Sequence, residues 1–208
     1  MSTRCFLIED THKTKRWLRR YTDSSAGENP CPLVPGKYSY HNSMVELDVL
    51  DHDATHDDIH PLPHDDPRWV KVCACGYEFQ EKDQWQVFTD SIYKRADTGD
   101  EFPLRNAPVG SMWWALWLPK NMYWDNKEDD SLCVKLPDGT DWNIDSRCNN
   151  CALPNDRTHR CWGRMGTPPN VTAGKIGATC PAGGGSIQSP NWHGHLVNGE
   201  LIPVAPYQ

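Results

Sequence analysis

The sequence predicts an α+β fold, mostly β: one domain of several antiparallel hairpins with a single short helix, tied by a structural zinc site. Three observations predict it. Ten Trp stand in a chain whose apolar fraction is only 38%, so large aromatic side chains carry much of the burial. Seventeen Pro and fifteen Gly punctuate the chain into short elements. Where apolar residues are regular, they mostly alternate with polar ones, the period of a strand with one buried face.

The elements follow in order. Residues 1–22 read as a short strand and then a basic segment holding Lys13, Lys15, Arg16, Arg19 and Arg20. That segment is a solvated face rather than an anion site. Residues 23–36 read as loop, so 1–36 form an N-terminal arm. From Lys37 to Leu50, Val45, Leu47 and Val49 alternate with Glu46 and Asp48, as in a half-buried strand. Residues 51–67 are an acidic, His-rich loop, and 69–204 are the core of the domain. A strand is expected at Trp69 to Cys73. Trp85, Phe88 and Ile92, spaced i, i+3, i+7, suggest the one amphipathic helix between Asp83 and Tyr93. Hairpins are expected at Tyr93 to Leu104 around Thr98-Gly99, at Leu132 to Ile144 around Pro137-Asp138-Gly139, and at His193 to Val204 around Asn198-Gly199. Ser111 to Leu118 is a short apolar run, either a buried strand or a helical turn. Gly183-Gly184-Gly185 reads as a flexible turn, since no phosphate-loop Lys-Ser/Thr follows it.

The chemistry is concentrated in cysteines. Cys73 and Cys75 form one cluster, followed by Gly76. Cys148 and Cys151 form another, trailed by His159 and Cys161. Two short thiol clusters far apart in sequence are how a tetrahedral zinc site is commonly written. The predicted ligand set is Cys73 and Cys75 with two of Cys148, Cys151 and Cys161, tying 69–73 to 148–161. Four protein ligands close such a site, so Zn²⁺ there is structural. Cys5, Cys31, Cys133 and Cys180 stand alone, Cys133 as a core side chain and Cys180 as an alternative fourth ligand. An odd count of nine Cys and an N-terminus with no signal-peptide apolar region point to a reducing compartment, with thiols as ligands before disulfides.

Two histidine groups offer an alternative metal or acid/base site. His52, His56, His60 and His64 recur every four residues among six Asp between 51 and 66. His193 and His195 share one strand face. Pro61 and Pro63 forbid a regular helix through His64, so the loop reads as a solvated connection. No catalytic residue is assigned: nucleophile-elbow, zinc-protease, phosphate-loop and deaminase patterns are all missing. A formal charge of −7 argues against nucleic acid, and no run of eighteen apolar residues offers a membrane span.

The blocks WVKVCACGYEF, LPDGTDWNIDSRCNNC, DRTHRCWGRMG and ATCPAGGGSI are similar to uncharacterised proteins encoded by tailed phages of actinobacteria, over roughly residues 69 to 200. The resemblance gives weight to Cys73, Cys75, Cys151 and Cys161 as ligands and implies expression in a bacterial host, in its cytoplasm or in the virion. It carries no activity. The expectation is a non-enzymatic, zinc-stabilised phage protein. It would act by protein–protein binding, as a virion or accessory component, on a phage or host protein or on a second copy of itself. The alternative is a metal-dependent enzyme using the His/Asp residues of 52–66 and 193–195.

Overall fold

A computed structural model describes residues 1–22, 30–33, 40–51, 65–118, 131–153, 155–156 and 158–205. Among the described residues thirteen strands are found: β1 (Thr3–Arg4), β2 (Phe6–Tyr21), β3 (Asn42–Asp51), β4 (Gln84–Arg95), β5 (Glu101–Pro103), β6 (Ser111–Trp114), β7 (Leu132–Lys135), β8 (Asp141–Asn143), β9 (Gly163–Met165), β10 (Thr172–Gly174), β11 (Ile187–Gln188), β12 (His193–Val197) and β13 (Glu200–Pro203). The mostly β expectation holds. Among the described residues the helical content is one 3₁₀ turn, Leu104–Asn106.

The predicted helix at 83–93 is a strand, β4. Its sequence, QWQVFTDSIYKR, is dense in aromatic and β-branched side chains, which favour a pleated chain over a helix. Three apolar residues at helical spacing were outweighed by that content. The predicted strand at 69–73 does not form either. Only the pair Val72 and Glu78 bridges, because the chain turns back immediately through Cys73–Gly76.

The chain divides into two compact units: Met1–Glu9, Tyr93–Phe102 and Asn106–Gln208 form one, and Asp10–Ile92 with Pro103–Arg105 form the other. In the first, β6, β7 and β8 are antiparallel neighbours, and the start of β2 runs parallel to β6. A second sheet has the order β1-β13-β12-β11, and β9 pairs with β10. Three expected hairpins are present. β7–β8 turns at Asp138-Gly139, and β4 hands over to β5 through a turn in which Arg95 N–H donates to Asp100 O at 2.9 Å. In β12–β13, Asn198 and Gly199 have φ of 47° and 72°, the left-handed pair that a type I′ turn requires.

The core of this unit is more aliphatic than ten Trp suggested. Met112, Leu132, Val134, Leu136, Ile144, Val171, Ile187, Leu196 and Leu201 fill it, with Trp162 buried and Trp142 and Trp192 half-buried against it. Trp113 is buried, whereas Trp114, Leu116 and Trp117 are 37%, 67% and 58% exposed.

In the second unit β2 and β3 form a long antiparallel pair with a bulge between Arg16 and Trp17. The basic segment lies within β2 and is matched by acidic residues of β3. Lys15 pairs with Glu46 at 2.6 Å and Arg16 with Asp48 at 2.5 Å. Arg19 donates to Asn42 Oδ1 at 2.9 Å and Arg20 to Gln80 O at 2.7 Å. Val45 and Val49 of β3 are 40% and 48% exposed, so β3 is ordered by its pairing with β2 more than by burial of its apolar face.

Candidate metal centres

The single shared site is replaced by two. Cys73 and Cys75 group with Cys31 and His41, whereas Cys148, Cys151 and Cys161 group with Cys180; within each group the ligand atoms all lie within 4.8 Å of one another. Each thiol pair completes its own tetrad inside its own unit. Cys31, His41 and Cys180, which stand alone in the sequence, supply the missing donors.

The first centre is assembled by a knuckle and a hairpin end. Gly76 N–H donates to Cys73 O at 2.8 Å, and Cys73 N–H donates to Tyr77 O at 2.8 Å. This closes a turn in which Gly76 takes φ of 92°, a conformation open to glycine without steric cost. The turn aims both thiols the same way. His41 immediately precedes β3, held as Thr22 N–H donates to its carbonyl at 3.0 Å and its own N–H donates to Thr22 Oγ1 at 3.1 Å. Its ring stacks on Tyr77, centroids 4.0 Å apart, and its Nδ1 lies 3.1 Å from Cys75 Sγ. Cys31 follows Pro30 in the loop between the two strands. The local core, Cys31, Cys73 and Phe79 backed by Val70, Cys75 and Tyr77, consists largely of the ligands themselves.

The second centre rests on the main core of its unit. Cys148 and Cys151 flank a turn closed by Cys151 N–H donating to Cys148 O at 3.1 Å. Thr179 and Cys180 both donate their N–H to Arg160 O at 2.9 Å, which sets Cys180 beside Cys161. The chain then crosses Cys161 so closely that a Cβ on Gly183 would stand 2.1 Å from its carbonyl oxygen. The glycine triplet is therefore a packed crossing rather than a flexible turn. Cys180 Sγ is 4.0 Å from both Cys148 Sγ and Cys151 Sγ.

These distances fit a metal. A tetrahedral ion with bonds of about 2.3 Å places its sulfurs about 3.8 Å apart, whereas a disulfide needs about 2.05 Å; all nine cysteines are free thiols. His41 fits as well. It is 4% exposed, and in the Nε2–H tautomer the Nδ1 that faces Cys75 Sγ carries the lone pair a metal ligand needs.

Electrostatics singles out one thiol in each centre. Burial pushes the Cys5 and Cys133 thiols up to about 12, and both stay inert, as expected of Cys133. Burial also works against ionising Cys73, but donation from the Cys75 backbone, the His41 ring and the Asn42 backbone outweighs it and brings the thiol down to about 6. In the second centre burial is likewise overcome at Cys161, by the Cys148 backbone and the Arg147 guanidinium, and its thiol falls to about 6. Burial, then the Cys161 charge, drive Cys148 up to about 12. Neighbouring thiolates repel one another, and a bound dication relieves that conflict by stabilising all of them together.

His159 stands just outside the tetrad. Its Nε2 is 3.2 Å from Cys151 Sγ and 3.6 Å from Cys161 Sγ, and Arg147 Nη1 lies 2.8 Å from the same nitrogen. The two side chains brace the thiolates from behind, the supporting contact that orients metal ligands. Of the alternative histidines, His193 and His195 do not join either centre. His52, His56, His60 and His64 fall outside the described residues. His193 and His195 are exposed on one face of β12, with His193 Nε2 2.7 Å from Ser186 Oγ.

Among the described residues no helix is long and apolar enough to cross a membrane. Comparison with known proteins gives no match: no family model, no curated protein and no solved structure matches this chain.

Proposed function

We propose that this is a non-enzymatic binding protein stabilised by two structural Zn²⁺ ions, and that it acts by protein–protein contact. The observation that carries the zinc reading is the pair of four-ligand groups, Cys31, His41, Cys73, Cys75 and Cys148, Cys151, Cys161, Cys180. Thiolate and imidazole donors in a tetrahedral set suit Zn²⁺. With four protein ligands each, neither ion keeps the open position that a hydrolytic zinc needs for water. Its binding energy is then folding energy.

Protein binding is supported by the aromatic and aliphatic side chains that leave β6. Trp114, Leu116 and Trp117 keep a third to two thirds of their surface in water, and Trp is the residue type most enriched among the anchors of protein interfaces. The resemblance to actinobacterial phage proteins makes a phage or host protein, or a second copy of this chain, the partner, with the protein serving as a virion or accessory component in the bacterial host. The rival enzyme reading gains nothing from His193 and His195, for which the described residues supply neither a thiol nor a carboxylate partner.

The test is photo-crosslinking from position 116 in the full chain, alone and with phage-infected host extract, followed by identification of the crosslinked protein. A single saturable adduct, self or foreign, that is lost in a Trp114→Ser, Trp117→Ser variant of unchanged fold supports the reading. No specific adduct under either condition contradicts it.

A further inference from the structure

A cavity of about 420 Å³ opens beside the second centre, within the range of small-ligand sites, about 300–1,000 Å³. One wall is the turn between two metal ligands. Asn149 and Asn150, both exposed, are the residues between Cys148 and Cys151. A second wall is Trp142 with Trp162 behind it, and a third carries Gln188 and the backbone of Gly184 and Gly185.

We propose that this cleft binds a neutral sugar ring. Among the described residues that line it none is acidic, and the one cation is Arg147. That guanidinium is occupied: it bonds the His159 ring at 2.8 Å and the His159 carbonyl at 3.1 Å, and also the Asp156 carbonyl. The polar side chains left to meet a ligand are therefore neutral: the amides of Asn149, Asn150 and Gln188, with the hydroxyls of Ser146 and Ser186. Each amide offers two donors and an acceptor side by side, the complement of adjacent hydroxyls that each donate and accept.

The aromatic wall selects the shape. Trp142 and Trp162 meet edge to face, centroids 5.0 Å apart and planes at 78°. They make one aromatic face and no parallel slot. A flat base is held best between two stacked planes, or between a ring and a cationic plane, and neither is built here. The C–H face of a pyranose needs a single aromatic platform. A phosphate on the ligand would meet an Arg already bonded elsewhere and a chain of charge −7. Because Asn149 and Asn150 ride on the Cys148–Cys151 turn, the metal at that centre holds the sugar-binding wall in place.

Glucose, galactose, mannose and N-acetylglucosamine are titrated separately into the full chain as purified, following tryptophan fluorescence and calorimetric heat. At least one gives a saturable response with Kd on the order of 1 mM or tighter. An Asn150→Ala, Gln188→Ala variant, both positions exposed, keeps its unfolding midpoint and weakens that sugar by about tenfold or more, the loss of one to two hydrogen bonds. Trp142→Ala abolishes the response. The proposal is overturned if none of the sugars saturates, if the amide variant binds as tightly as the parent, or if adenosine saturates where the sugars do not.

Discussion

The two centres solve different problems. Among the described residues, the cluster around Cys31, His41, Cys73 and Cys75 is small: its buried apolar members are two of the ligands and Phe79, with Val70, Cys75 and Tyr77 half-covered. Around Cys148, Cys151, Cys161 and Cys180 the unit already has a packed aliphatic core, which includes Cys161 and Cys180 as members. A metal at the first would stand in for a larger hydrophobic cluster around its ligands. A metal at the second would fasten loops onto a core that is already packed. The histidines differ in the same sense. His41 is inside its tetrad, whereas His159 presses on two sulfurs from outside.

The largest expected effect breaks this contrast if it fails. Chelating the metal abolishes hydrogen-exchange protection at the Cys73, Gly76 and Phe79 amides, which close the first knuckle, because that segment has little else to hold it. Amides of β7 and β12 keep most of theirs. A single-ligand variant reads the same way. Cys73→Ser costs about 4 kcal/mol or more of local opening free energy, as expected for loss of a metal, while Cys133→Ser costs about 1–2 kcal/mol, the desolvation of one polar group. Uniform loss of protection across both units on chelation contradicts the contrast.

A smaller effect sharpens it. His41→Ala weakens the first centre's metal by on the order of 100-fold, about 3 kcal/mol, and His41→Cys retains the ion with a fourth sulfur. His159→Ala leaves the second centre loaded and weakens it by about tenfold, the loss of a supporting contact. Competition with a chromogenic chelator measures both. Equal losses in His41→Ala and His159→Ala would place both histidines in the same role.

A further effect concerns pH. The Cys73 and Cys161 thiols fall from the ordinary 9.0 to about 6 in the folded protein. A depressed acid contributes stability in full above its unfolded value, so the contribution is complete above about pH 9 and is lost as pH falls through about 6. Metal release follows the same direction, since protons compete for the thiolates. Thermal unfolding midpoints of the metal-loaded protein should therefore fall between pH 9 and 6. A midpoint that rises over that range has the wrong sign.

Much of the fold was legible in local chemistry. Asn198-Gly199 and Pro137-Asp138-Gly139 specify their turns by backbone conformation alone, and those hairpins form. The β4 strand was misread because Trp85, Phe88 and Ile92 fit a helix by spacing, while Val87 and Thr89 between them and Tyr93 just after are residues a strand prefers. The candidate site was half legible. C-x-C and C-x-x-C mark their own turns, so Cys73, Cys75, Cys148 and Cys151 declare themselves. Cys31, His41 and Cys180 carry no local signal, because each is brought to its partners by tertiary folding: His41 by the β2–β3 hairpin, Cys180 by its bond to the Arg160 carbonyl. Two thiol pairs each lacking two donors, in a chain with nine cysteines, was the one available hint that two sites rather than one had to be filled.

The central claim is that this chain holds two separate closed zinc centres, and metal content with X-ray absorption on the purified protein tests it most directly. The account predicts two zinc ions per chain and an averaged shell from seven sulfurs and one nitrogen over the two sites, with no disulfide detectable by thiol counting. One ion per chain, iron in place of zinc, or a shell containing oxygen from water would contradict it.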